Sequence, residues 1–244
     1  IYTICADVSR GQGEDYHAFT VIDVTETPYK LVATFRNNGI SPMVYPTFIK
    51  RMASEYNDAY VLVEINDIGG QVADILYNDL ECDNMLHTCT RGNRGQELSS
   101  GFGSGNMKKG IKTSTSVKRV GCSTLKSLIE EDKLLIKDYN VIEELSTFVA
   151  KRGSFSADTG HNDDLAMTLV LFGWVTSQRY FKELTDVDIR KGMFADKIAE
   201  IEDGLTPFGI MDNGLDGPEY EKDSEGNVWF YDNEDGDNDK WISW

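Results

Sequence analysis

Long apolar runs are missing from this chain. No stretch reaches the roughly 18 consecutive apolar residues of a membrane-spanning helix, which excludes that class of element. The opening residues lack a basic segment and a small-residue cleavage site, so no secretory signal is read there. Cysteine is sparse: Cys5, Cys82, Cys89 and Cys122 are scattered, and the seven-residue step between Cys82 and Cys89 fits no C-x-x-C zinc pattern. They read as free thiols, with Cys5 a small core residue. No internal repeat is visible. No GxxxxGK[ST] loop is present, so the chain itself should not hydrolyse ATP. An initiator Met is also missing. Ile1 falls directly in a strand-like run, which reads as a piece cut from a longer polypeptide with a domain before it.

What is present is enough for a proper core. The 244 residues are 40% hydrophobic and 11% aromatic, sufficient for one large domain or two small ones. The net charge of −17 argues at first against nucleic acid. Its distribution is uneven, however. Between Arg91 and Lys126 stand eight basic residues and one acid, Glu97, a local +7 that leaves −24 for the rest. From Asp216 to Trp244 there are ten acids and two lysines, or −8. A global charge is a poor guide when one segment concentrates the positive residues.

The pattern predicts strands at Ile1–Ser9, Tyr16–Val24 and Tyr29–Asn37, joined by short links and therefore antiparallel. A helix is expected over Met43–Tyr56 with Pro46 in its first turn. Ala59–Ile65 (AYVLVEI) reads as a strand in mid-sheet, covered on both faces. Further helices are predicted over Gln71–Asn78, Thr113–Asp132, Tyr139–Lys151, Asn162–Ser177 and Ile189–Ile201. In Tyr139–Lys151, Ile142, Leu145, Phe148 and Val149 mark the apolar face. Short extended pieces are expected at Met85–Thr90, Leu134–Ile136 and around Phe155. Ser99–Gly110 is glycine-rich and reads as a loop. Residues 1–204 are taken as one domain and 205–244 as an acidic, aromatic-containing tail. Three antiparallel strands, a helix, a strand, a helix, another strand and then helices is the ribonuclease-H-like order, an α/β mixed sheet with helices on both faces.

Three acids occupy places that this pattern disfavours. Asp7 ends an apolar strand, Glu64 lies inside AYVLVEI, and Asp163-Asp164 opens the most apolar helix of the chain. Each has a plain alternative. Asp7 can cap the turn that follows. Glu64 can pair with a lysine. Asp163 and Asp164 can serve as N-cap and first-turn acids on the helix dipole. If the first and fourth strands are neighbours, however, Asp7 and Glu64 stand side by side, and the helix can bring Asp164 to them. Three converging carboxylates need a cation to neutralise them. All-oxygen ligands suit Mg²⁺ or Mn²⁺, and two such ions about 3.5–4 Å apart form the two-metal site of nucleases. Spacing does not decide between the pair: Asp163 leads the face of Met167, Val170 and Trp174, and Asp164 that of Met167, Thr168 and Leu171. His161 is a metal-adjacent candidate, although a histidine before a helix more often serves as a cap or lies on the surface.

The basic residues fit the same chemistry. Arg91, Arg94, Lys108, Lys109, Lys112, Lys118 and Arg119 lie in and around the glycine-rich stretch, where they can neutralise a phosphate backbone. The alternative is a solvated helix face. Nothing reads bases, so binding should depend little on sequence.

ICADVSRGQGEDYHAF, VLVEINDIGG and GHNDDLAMTLVLFGW closely resemble the C-terminal nuclease domain of the large terminase subunit of large contractile-tailed phages. The resemblance spans roughly Ile1–Arg190. It implies an endonuclease that cuts concatemeric double-stranded viral DNA during packaging, working in the host cytoplasm at the procapsid portal. It implies an acidic triad on Asp7, Glu64 and Asp164, with Asp163 accessory. It also implies partners: the absent N-terminal packaging ATPase domain, the portal protein and the small terminase subunit. A nuclease of this kind needs a switch, and Ser99–Gly110 is the candidate. Three other readings use the same residues. A junction resolvase or ribonuclease H shares the fold and acids. An actin- or sugar-kinase-type ATP-binding domain also ends its first strand in Asp, but needs a second phosphate loop that is not found after Ala59–Gly70. A non-catalytic DNA clamp would keep the acids as structural groups.

Overall fold

The structure is a computed structural model and describes residues 1–10, 15–90, 95–99, 107–151 and 154–186, with the backbone alone of 220–222, 228–231 and 241–243. The chain divides into two compact units, Ile1–Phe194 and Ala195–Trp244.

In the first unit β1 (Tyr2–Asp7), β2 (His17–Asp23) and β3 (Tyr29–Asn37) are followed by α1 (Tyr45–Glu55), with Pro46 in its first turn, and β4 (Tyr60–Val63). Next come α2 (Gly69–Asp74), which runs into a π-helical turn at Ile75–Asp79, then β5 (His87–Thr90), β6 (Gln96–Ser99) and β7 (Met107–Lys109). The remainder is α3 (Thr115–Glu130), β8 (Leu134–Leu135), α4 (Tyr139–Thr147), β9 (Phe148–Lys151), β10 (Ser154–Ala157) and α5 (Asp164–Ser177), with a further helical stretch at 179–186.

The central sheet has five strands in the order β4-β1-β2-β3-β8. The short links make β1, β2 and β3 antiparallel neighbours, while the helical crossover through α1 returns β4 parallel to β1. β8 closes the other edge parallel to β3. Alternate residues face opposite layers. Ile4, Ala6, Phe19, Val21, Val61 and Val63 pack under α1 and α2. Cys5, Ala18, Ile22 and Leu62 pack with α5, which lies on β1 and β2 beneath α3 and α4. This is the mixed α/β sheet with helices on both faces that the element order predicts.

Several expectations need correction. β4 is the edge of the five-stranded sheet, not its middle. Its outer side is covered by backbone from 84–86 and 110–111: the Leu86 N–H donates to the Val61 carbonyl at 2.8 Å and the Ile111 N–H to the Val63 carbonyl at 2.9 Å. That cover explains why an edge strand reads as buried. Met85–Thr90 is not simply one more strand of that sheet; β5 sits centrally in a separate three-stranded sheet, β6-β5-β7. The stretch expected as a loop, Ser99–Gly110, contributes Ser99 to β6 and Met107–Lys109 to β7. α4 stops at Thr147, and the next four residues form β9, paired with β10. The buried face of α4 is Val141 and Glu144, whereas Ile142 is 48% exposed. The helix expected at Ile189–Ile201 lies outside the described residues. In the second unit, β11 (Tyr220–Lys222), β12 (Val228–Tyr231) and β13 (Trp241–Ser243) form an antiparallel meander.

Two glycines set the spacing of α3 and α5. A Cβ on Gly121 would lie 2.2 Å from the Val170 carbonyl oxygen, and one on Gly173 would lie 2.5 Å from the Gly121 carbonyl oxygen. The helix backbones therefore touch. Gly→Ala inside a solvated helix gains about 1 kcal/mol. At Gly121 the sign should reverse, since backbone must move. Gly121→Ala is expected to lower stability by about 1–3 kcal/mol, as overpacking does, measured by urea unfolding.

Candidate metal centre

Asp7 is the last residue of β1, between β2 and β4, so its backbone is held on both sides. Tyr45, buried on α1, adds a third hold: its hydroxyl lies 2.7 Å from the Ala18 carbonyl oxygen and 3.3 Å from that of Asp7. The Tyr45 ring stacks on His17 at 4.5 Å. The His17 Nδ1 accepts the Ser9 N–H at 3.2 Å, so its Nε2 carries the proton and donates to the Ile40 carbonyl at 3.1 Å. Burial lowers the pKa of this histidine, and its neutral form fixes the chain as it leaves Asp7.

Glu64 follows β4 directly. Its N–H donates to the Ala6 carbonyl at 2.9 Å, which extends the parallel pairing by one step and sets Glu64 beside Asp7. The residue is buried, 8% exposed. Asn66 aims it: the Asn66 amide donates to Glu64 Oε1 at 2.7 Å and to the Thr113 carbonyl at 3.2 Å. The next turn folds tightly back, because a Cβ on Gly69 would fall 2.0 Å from the Glu64 carbonyl oxygen. Beyond the turn, Arg10 and Asp67 form an exposed two-pronged ion pair, tying the segment after Asp7 to the segment after Glu64.

The third acid arrives from the opposite layer. Asp164 begins α5, and its Oδ1 accepts the Tyr16 N–H at 3.3 Å. Asp163 occupies the N-cap position but makes no capping hydrogen bond; its carboxylate accepts the Ala157 N–H at 3.1 Å instead. Asp163 and Asp164 thus stand at the N-cap and in the first turn, as the plain alternative placed them, but the Asp163 carboxylate does not make the capping hydrogen bond. The capping is done from α4: Glu144 Oε2 accepts the N–H groups of Leu165 at 2.7 Å and Ala166 at 3.0 Å.

The electrostatics follow from this crowding. Burial, then the Glu64 charge and a hydrogen bond between the two carboxyls, then Asp164, raise the Asp7 pKa well above the ordinary range, with the Val8 N–H pulling the other way. Burial first, then Glu144, push Asp164 up to about 6, with Asp163 and Asp15 adding to the rise. Among the described residues, no three His, Cys, Asp or Glu side chains are grouped tightly enough to coordinate an ion as they stand. With Glu64 beside it, Asp7 is pushed towards its protonated form, which relieves the repulsion between the two carboxyls. A divalent cation does the same work with more charge, so the donor set fits a hard, oxygen-ligated ion at this pair, with Asp164 acting on it from α5.

The remaining expected residues separate. His161 is exposed and stands beside Asp158, whose carbonyl accepts its N–H at 3.1 Å. Lys109 is held on α2 and the turn after it, 3.0 Å from Asp74, 2.9 Å from Asn78 and over the Tyr77 ring. Lys118 is half-buried, 3.4 Å from the Phe155 carbonyl oxygen. Lys108, Lys112 and Arg119 are exposed. Arg91 and Arg94 lie outside the described residues. Glu64 bridges to Ile111 along the backbone, so the segment carrying Lys112 runs directly past the acid pair. The residues missed were Glu144, Arg36, Asn66, Tyr45 and His17. Only Glu144 left a signal, a charge beside the apolar positions of its helix.

A family model for the terminase RNaseH-like domain matches residues 4–172. The chain belongs to that family. Among solved structures, the large terminase nuclease from thermophilic phage G20c with bound cobalt is 23% identical, with 71% of this chain and 80% of that chain covered at a TM-score of 0.53. The same nuclease with bound magnesium is 21% identical over 71% and 80%, at 0.52. These likenesses agree with the terminase RNase H-like fold described above.

The raised pKa values predict how stability varies with pH. A carboxyl whose folded-state pKa is raised favours the native state while protonated. That advantage is lost as pH climbs from the unfolded value of about 4 through the folded one, which for Asp164 is about 6. In metal-free buffer Asp7→Asn should therefore melt higher than the wild-type chain at pH 8, with the difference shrinking towards pH 4. Thermal melts at both pH values check it. A difference independent of pH would contradict the proton-sharing account.

Proposed function

We propose that this domain is a divalent-metal-dependent nuclease that cuts double-stranded DNA during viral genome packaging. The observation that carries the reading is the carboxyl pair of Asp7 and Glu64, aligned by parallel strands, with Asp164 facing it from the first turn of α5. Asp7 and Glu64 would hold Mg²⁺ or Mn²⁺, with Asp164 completing the set and Asp163 accessory. Bound there, a pair of ions would supply activation of the attacking water and neutralisation of the leaving 3′-oxygen. The chain's own part is to keep rigid acids ready. Asp7 is fixed by β1, Tyr45 and His17, and Glu64 by Asn66.

Charge points to the substrate. Lys108 and Lys112 line a cleft of about 450 Å³ with Ser114, Ser116 and Gln96. This cleft lies on the segment that passes Glu64, and Arg119 is exposed one turn into α3. Such a surface suits phosphates in sequence, whereas Lys109 and Lys118 are engaged by the protein away from this cleft. In this reading the domain works in the host cytoplasm at the procapsid portal, joined to a packaging ATPase domain and meeting the portal protein and small terminase subunit. Residues 1–204 form the nuclease and 205–244 the acidic appendage.

Plasmid DNA in Mg²⁺ or Mn²⁺ tests the assignment. Asp7→Asn and Glu64→Gln should each lower cleavage by more than about 100-fold, beyond the usual cost of losing a group outside the metal shell, with circular dichroism unchanged. Full cleavage by either variant would refute it. A panel of linear duplex, four-way junction and RNA–DNA hybrid separates this reading from resolvase or ribonuclease H chemistry. The triple change of Lys108, Lys112 and Arg119 to Ala should weaken DNA binding and flatten its salt dependence.

A further inference from the structure

Glu144 is a buried carboxylate, 4% exposed, on a helix that carries none of the expected metal ligands. Its two oxygens are used in different directions. Oε2 accepts the N–H groups of Leu165 and Ala166, the two residues that follow Asp164, at 2.7 and 3.0 Å. Oε1 meets the Arg36 guanidinium on β3 at 2.6 Å. Arg36 in turn lies over the Tyr16 ring, 4.2 Å from its centroid. The Tyr16 N–H donates to Asp164 Oδ1 at 3.3 Å, which closes the loop. Asp164 is therefore approached from two sides by one connected set of groups, through the backbone that follows it and through the residue that binds its carboxylate.

A helix start needs its free N–H groups satisfied, and the residue in the cap position normally does this. Here Asp163 does not, and Asp164 turns its carboxylate to Tyr16. If either acid served as the cap, it would be drawn back over the first turn. Glu144 takes over the task and leaves both acids available.

We infer that Glu144, held by Arg36, is a positioning residue for the metal centre: by capping α5 from another helix it fixes where Asp164 stands relative to Asp7 and Glu64. The inference rests on the metal-site reading above. Groups that hold ligands without touching the metal typically change metal affinity by about 10–100-fold when removed.

Calorimetric titration of the whole chain with Mn²⁺ tests it, independently of cleavage. Glu144→Ala should weaken Mn²⁺ binding about 10-fold or more. Glu144→Gln, which keeps one acceptor oxygen for the helix N–H groups, should restore part of that loss. Arg36→Gln should weaken binding in the same direction. Val141→Ala, also buried on α4, controls for general loosening of the helix and should leave the affinity unchanged. Wild-type affinity in folded Glu144→Ala would overturn the inference, as would an equal loss in Val141→Ala. If Glu144→Ala does not fold, wild-type affinity in both Glu144→Gln and Arg36→Gln overturns it. Failure of the wild-type chain itself to bind Mn²⁺ would overturn the metal-site reading and this inference with it. Wild-type binding left intact by the Glu144 and Arg36 changes overturns the inference alone.

Discussion

Parallel pairing of β1 with β4 is the constraint on which the rest of the domain depends. It continues through the Glu64 N–H bond to Ala6 and leaves two carboxyl groups beside each other at the ends of two apolar strands. Side by side and largely buried, they cannot both carry charge without a partner. Either a proton or a cation must sit between them. The surrounding structure prevents the simplest escape, which is to let the side chains swing apart. Asn66 holds Glu64, the β1–β2 ladder with Tyr45 and His17 holds the backbone at Asp7, and the close turn at Gly69 leaves no room for the chain after Glu64 to relax.

Such an arrangement has to be supported by the core. The support comes from unequal layers. α1 and α2 cover one face in an ordinary way, but α5 is buried on every side, from Leu165 to Thr176. A helix so enclosed cannot shift without disturbing both the sheet and α3, and Gly121 and Gly173 bring α3 into backbone contact with it. The apolar interior of α5 thus serves its polar first turn. Asp164 is placed by a rigid body that is locked several turns away, and then adjusted locally by Tyr16 and Glu144.

The fold was legible in the sequence because its signals are local. Glycine turns and short links specified the meander of β1, β2 and β3, and Pro46 marked the start of α1. Asp7, Glu64 and the Asp163-Asp164 pair stood out because each acid interrupts an apolar run. What was not legible depends on contacts between distant segments. AYVLVEI looks like a central strand since burial on both faces is all that periodicity reports. It does not say whether the cover is a strand or single backbone bridges from 84–86 and 110–111. The glycine-rich stretch looked like loop throughout because β5, β6 and β7 are short and form a small sheet of their own beside the main one. The face of α4 was misplaced towards Ile142 for a related reason: helical periodicity assigns a glutamate to the outside. Glu144 goes inside because Arg36 and two backbone N–H groups lie there to receive it.

That exchange of roles also explains why Asp163-Asp164 was undecidable from spacing. Two acids at a helix start are used most simply as cap and dipole partner, and a capping bond contributes about 1 kcal/mol. The local sequence satisfies that rule fully, so no local reading can reject it. Only the distant Glu144 makes the caps unnecessary, and it sits 20 positions before Asp164 on another helix. Its cost is that a further carboxylate is buried near acids that already repel, which Arg36 offsets from β3. The basic segment follows the opposite logic. Lys109 and Lys118 are tied down by the protein, while Lys108 and Lys112 are exposed on the segment that passes Glu64 and Arg119 is exposed on α3. The chain's net charge of −17 thus coexists with exposed positive residues on the segment that passes the acid pair, a local field that the global charge does not report.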